Sequence, residues 1–142
     1  MLDSRQLRPE IIDGAHQIWF EEPDLVVIVI RGKITDAATT RICNRLIEEA
    51  QSRAYFLVLT NMTQFEGIDP TARKVAANLG QALPRRAFAI FGGSFGQRVV
   101  IDLIFRASAV FGAKHRTMRY FADEVTSRSW LTSMRNQLAQ NT

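Results

Sequence analysis

Two uninterrupted apolar runs punctuate the chain, Leu25 to Ile30 (LVVIVI) and Tyr55 to Leu59 (YFLVL). Each is too short for a helix of its own and rich in β-branched or aromatic residues, which suit a pleated surface. Neither alternates with polar positions, so each predicts a strand covered on both faces. Arg86 to Phe91 (RAFAIF) predicts a third buried strand. The weaker alternation of His16 to Phe20 and of His115 to Phe121 predicts two partly exposed ones, the first forming a hairpin with Leu25 to Ile30 across the Glu21–Asp24 turn cluster.

Between these strands the period becomes helical. Ala38, Ile42, Leu46 and Ala50 share one face, opposite Arg41, Arg45, Glu48 and Glu49. Thr35 or Asp36 is suited to cap that helix, which should run to about Arg53. Thr60 to Ile68 is polar enough to predict a loop. Asp69-Pro70 then restarts a helix, Asp69 as the cap and Pro70 at the first helical position, with Ala72, Val75, Ala76, Leu79 and Leu83 inward until Pro84 stops it. A third helix is predicted from about Gln97 to Phe111, closed by Gly112. A fourth follows an Asp123 cap, with Val125, Trp130, Leu131, Met134 and Leu138 as its stripe. Residues 1–14 are polar with Pro9 and Gly14 and predict a loosely held arm, leaving residues 15–142 as a single domain. The order is β-β-α-β-α-β-α-β-α, an α/β fold with a five-stranded mixed sheet and four helices on its two faces.

In such a sheet a site is expected outside the carboxyl end of the central strand, beside a helix amino terminus. That places it in the loop and helix start at residues 61–71, with Asn61, Asp69 and Thr71 as its candidates. Gly92 to Arg98 (GGSFGQR) joins another strand to a helix, where backbone amides can cradle an anion, with Gly93, Ser94 and Arg98 as the residues to do it. It lacks the lysine and Ser/Thr ending of a phosphate-binding loop, and a tight strand-to-helix turn explains the glycines equally well.

The third helix is apolar nearly all round. Val99, Val100, Leu103 and Ile104 are expected against the sheet and Ile101 and Phe105 on the outer side. A helix of this kind buries both faces or meets a partner. Self-association as a homodimer through Ile101 and Phe105, or a lid over an apolar cleft, would satisfy it.

The net charge of +4 changes little, because the basic residues are scattered and Arg85-Arg86 and Lys114-His115-Arg116 are the densest spots. No basic stripe with interleaved aromatics speaks for nucleic acid. A single cysteine, Cys43, excludes an internal disulfide and suits a reducing compartment. The amino terminus has no apolar core, and the apolar runs are far short of a bilayer span, so a cytoplasmic protein without stable membrane insertion is expected. His16 and His115 have neither metal-ligand spacing nor an acidic neighbour in sequence reach. With no nucleophile–base set, the expectation is a non-catalytic protein without cofactor or metal.

The order and spacing of LVVIVIRG and Ile34-Thr35, Phe56 to Asn61 (FLVLTN), Ala87 to Phe91 (AFAIF) and Arg119 to Glu124 with Trp130-Leu131 resemble the STAS fold of anti-sigma-factor antagonists. They are most similar to its SpoIIAA-like, or STAS/Sec14-like, bacterial branch. The resemblance covers nearly the whole chain after residue 15. It implies a regulatory or protein-binding module acting through residues 61–71. In the antagonists a serine of an Asp-Ser-Ser-Gly at a helix start is phosphorylated by a partner kinase. Asp69-Pro70-Thr71-Ala72 matches that stretch in part, with Thr71 as the phospho-acceptor and Ala72 in place of the glycine. The Sec14-like side of the resemblance implies the alternative, a carrier of a small apolar ligand or lipid. A filled core under the helices would favour the module, a continuous apolar cavity the carrier.

Overall fold

The computed structural model describes residues 9–51, 53–80, 85–110 and 116–140. Its elements in chain order are β1 (Glu10–Ile12), β2 (His16–Glu21), β3 (Leu25–Ile34), α1 (Asp36–Ala50), β4 (Tyr55–Ile68), α2 (Pro70–Gly80), β5 (Arg85–Phe91), α3 (Phe95–Val110), β6 (Arg116–Phe121) and α4 (Glu124–Gln140). The expected features at Leu83, Pro84, Gly112 and His115 lie outside the described residues, as do residues 1–8 of the expected arm.

One sheet runs β1-β2-β3-β4-β5-β6, so spatial order equals chain order. The β1–β2 and β2–β3 pairs are antiparallel, and the three pairs from β3 to β6 are parallel. Right-handed crossovers stepping the same way along a sheet must deliver their helices to the same face. That is why α1, α2 and α3 share one side. After β6 the chain crosses to the other side, where α4 lies on β4, β5 and β6.

β4 serves both layers by alternation. Phe56 and Val58 join the core beneath α1–α3, while Leu57 and Leu59 join the core beneath α4. All four are 1% exposed or less, as a strand without a polar face requires. Thr35 caps α1, its hydroxyl oxygen accepting from Ala38 N at 3.2 Å, and Asp123 caps α4, accepting from Thr126 N at 2.8 Å. Two arginines tie α4 to the antiparallel end of the sheet. Arg135 grips both carboxylate oxygens of buried Asp24 at 2.8 Å, and Arg128 grips both oxygens of Glu21 at 3.0 Å.

The sheet has six strands where five were expected. The added strand, β1, comes from the segment read as a loose arm. Asp13 and Gly14 both take positive φ, 56° and 72°, and Ala15 N donates to Ile12 O at 3.2 Å. This tight turn folds Glu10–Ile12 back on β2 and buries Ile12 completely. The second departure is the length of β4. The expected polar loop from Thr60 to Ile68 continues the strand, because the extension of β3 through Arg31–Ile34 offers it a hydrogen-bonding edge, with register shifts after Val29 and Gly32.

Candidate functional site

α2 presents small side chains inward, with Ala72 and Ala77 buried and Ala76 half-buried. It packs chiefly on α1 and α3 and stands off from the strands like a plank across two rails. Short side chains on a raised helix leave space, and a cavity of about 210 Å³ lies below. Ile28 and Ile30 form its floor, Ile42 and Phe65 its near walls, and Ile101 and Phe105 its far wall. The lid over an apolar cleft was expected of the third helix; here α3 lines one side of the space with Ile101, Ile104 and Phe105, and α2 contributes Ala76.

Arg86 is the one charged side chain among the described residues that line this cavity. It is only 2% exposed, and its guanidinium carbon lies 5.7 Å from the Phe88 ring centre. Cys43 also lines the space, and burial pushes its thiol up to about 11, so it is neutral at pH 7. In the sequence Arg85-Arg86 reads as one of two basic spots, and nothing in its charge marks Arg86 as a cavity residue. Strand alternation carries the signal: Arg86 is two and four residues before Phe88 and Ile90, which face the same core.

Asn61, Asp69 and Thr71 lie on the carboxyl side of the sheet, each engaged locally. Asn61 Oδ1 accepts from the Thr63 amide at 3.0 Å and the Thr63 hydroxyl at 2.8 Å. Asp69 was expected to cap α2, but its carboxylate pairs with Lys33 Nζ at 2.9 Å instead. The Thr71 hydroxyl donates to Asp36 Oδ1 at 2.6 Å, joining the starts of α2 and α1. A shallow pocket of about 360 Å³ at this edge touches Lys33, Arg73, Ser94 and Gln97.

Gly93, Ser94 and Arg98 do not converge on one point. Ser94 and Gln97 cap α3 reciprocally: Ser94 Oγ accepts from Gln97 N at 3.2 Å, and Ser94 N donates to Gln97 Oε1 at 2.8 Å. Arg98 turns to the Tyr120 ring, 5.4 Å from its centre. Gln97 Nε2 also donates to Phe65 O at 2.8 Å, fastening α3 to the extended end of β4.

The orientation expected for α3 is corrected. Ile101 packs on the core and Phe105 stands edge-on to Phe88, with ring centres 6.2 Å apart. The outward stripe is Phe95, Val99 and Leu103, exposed by 84%, 43% and 58%. His16, set aside as a ligand, is buried and accepts from Arg31 N at 3.1 Å. Desolvation lowers its pKa, and it acts as a neutral acceptor holding β2 to β3. Among the described residues no three His, Cys, Asp or Glu side chains cluster as metal ligands, and no helix is long and apolar enough to cross a membrane.

No family model matches the chain, and no curated protein matches it significantly in sequence. Solved structures do. The anti-sigma factor antagonist SpoIIAA in its unphosphorylated form superimposes with a TM-score of 0.59 at 17% identity, over 83% of this chain and 98% of that one. An uncharacterized protein of the DUF3478 family with a SpoIIAA-like fold, from Shewanella loihica, superimposes with a TM-score of 0.55 at 19% identity, over 82% of this chain and 93% of that one. The chain has a SpoIIAA-like fold.

Proposed function

Taking the SpoIIAA-like fold as the frame, we propose that this chain holds a small apolar ligand beneath α2, the feature set out above as favouring the carrier alternative, and that this ligand is the input of a non-catalytic regulatory module. What supports this is the extended end of β4, one segment with two faces. Met62, Phe65 and Ile68 line the cavity, while Thr63, Gln64 and Glu66 are exposed. A ligand that repacks the inner set shifts the outer set, and with it the partner surface expected at residues 61–71. The protein partner is read at that surface, with Asn61, Asp69 and Thr71 on it. Phosphorylation of Thr71 fits less well, because a phosphate dianion there would meet the Asp36 carboxylate that the hydroxyl now contacts.

The test is titration with 1-octanol followed by amide NMR. Saturable shifts confined to residues 62–68, α2 and the inner face of α3 are expected. Absence of saturable binding by 1-octanol and by shorter alcohols sinks the proposal.

A homodimer is the second reading, and the stripe Phe95, Val99 and Leu103 favours it over the pair Ile101 and Phe105. Three apolar side chains at i, i+4 and i+8 suit a two-fold helix contact, worth about 4–6 kcal/mol gross before the entropy of association. Sedimentation over a concentration series decides it: a monomer throughout removes the dimer.

A further inference from the structure

The apolar space beneath α2 is lined by one hydroxyl that has no partner among the described residues. That group narrows the ligand class, an inference that rests on the ligand-binding function proposed above. Thr60 stands in β4 between Ile28 of β3 and Ile90 of β5. Alternation turns it to the α1–α3 side with Phe56, Val58 and Met62. Those three are buried, and Ile28 and Ile90 are each 4% exposed. Thr60 is half-buried, because its side chain borders the cavity.

The other polar groups of the described lining are occupied or weak. The Thr39 hydroxyl donates to Thr35 O at 2.8 Å. Arg86 is engaged within the protein, so the space does not call for an anion. Cys43, neutral at pH 7, offers only a weak S–H donor. The Thr60 hydroxyl makes no hydrogen bond among the described residues, and it has one donor and two acceptor lone pairs to give. Valine has nearly the same shape and suits an interior strand at least as well, whereas a hydroxyl taken from water without a partner costs stability. A guest that supplies the missing hydrogen bond removes that cost.

We propose that the cavity binds a compact neutral molecule with a single hydroxyl or carbonyl group, that group bonded to Thr60 and its hydrocarbon body packed between the sheet and α1–α3. Size limits the body. An engineered cavity of about 150 Å³ holds benzene, with its six heavy atoms, so a cavity of about 210 Å³ holds roughly eight or nine. The lining limits the polarity. A second polar atom, or a charge, would be buried among isoleucine, phenylalanine and methionine side chains with nothing to pair it.

The experiment compares 4-ethylphenol with ethylbenzene, which lacks only the hydroxyl, by calorimetry on the full chain at pH 7. In a wholly apolar cavity the phenol is the weaker ligand, because its hydroxyl leaves water without gaining a partner. Here 4-ethylphenol is expected to bind at least as tightly as ethylbenzene. Thr60→Val should weaken 4-ethylphenol by about tenfold or more, leave ethylbenzene unchanged and raise the thermal midpoint. Thr60→Ser should keep the phenol bound. Tighter binding of ethylbenzene to the unaltered protein, or undiminished binding of 4-ethylphenol to Thr60→Val, overturns the Thr60 assignment and leaves an apolar site standing. Binding of neither compound removes the ligand-binding function itself. If Thr60→Val does not fold, the comparison of the two compounds in the unaltered protein decides alone.

Discussion

Filling the cavity should stabilise the protein while blocking its site, and Ala76→Leu is the substitution that does it. Ala76 is the residue of α2 that lines the space, and leucine propagates a helix nearly as well as alanine. The three carbons added by leucine recover about 0.8 kcal/mol each, less about 0.5–1 kcal/mol of rotamer entropy, a net gain of about 1.5 kcal/mol. Over 142 residues, at about 2.1 cal/mol/K per residue, the unfolding entropy is about 0.3 kcal/mol/K, so the midpoint should rise by about 5 °C. Differential scanning calorimetry of both proteins, followed by 1-octanol titration, reads both effects. A midpoint that falls or stays level would mean that α2 settles onto the sheet in solution and that no fillable space exists. Gain of stability with loss of binding is the pattern expected where a protein keeps a void for a ligand.

Other predictions probe the frame around the site. Asp24→Asn removes the charge that Arg135 grips with two bonds of 2.8 Å. Breaking a buried pair costs about 3–5 kcal/mol, and partial exposure of Arg135 places this one near or below the low end, read as a shift in the denaturant midpoint. Gly92→Ala should destabilise by about 2 kcal/mol or more, because a Cβ there would lie 2.6 Å from Thr63 N on a backbone at φ +83°. Gly96→Ala, with open space around it, should be neutral or slightly stabilising. Cys43, with its thiol pushed to about 11 from 9.0, should alkylate about 100-fold more slowly at pH 7 than an unperturbed thiol. Fast labelling would show that the cavity opens freely.

The Arg128 hydrogen bonds hold the Glu21 carboxyl below its usual value of 4.5. A depressed carboxyl contributes stability that is fully present above 4.5 and is lost as pH falls through its lower folded pKa. Glu21→Gln should therefore flatten the decline in thermal midpoint between about pH 5 and pH 3. An unchanged slope refutes that contribution.

The alternation of strands and helices was legible in the chain because its strongest signals are local. Leu25 to Ile30 and Phe56 to Leu59 have no polar face to turn to water, so they could only be interior strands, and Thr35 and Asp123 cap helices with atoms of their own first turns. β1 was also written locally, in Asp13-Gly14 behind Ile11-Ile12, but three residues form a strand only when β2 gives them a partner. The end of β4 required more: Thr60 to Ile68 is polar in composition, and only the edge of β3 and the apolar space under α2 make Met62 and Phe65 a strand's inner face. The period of α3 could not choose its orientation, since a helix apolar all round fits either way. Docking against Phe88 turned Ile101 and Phe105 inward and left Phe95, Val99 and Leu103 outside. The candidate ligand site belongs to tertiary structure altogether. A void is set by the height at which α1 and α3 carry α2 above the sheet, and no residue's own character records that distance, although the strand register that turns Arg86 into the void was in the sequence all along.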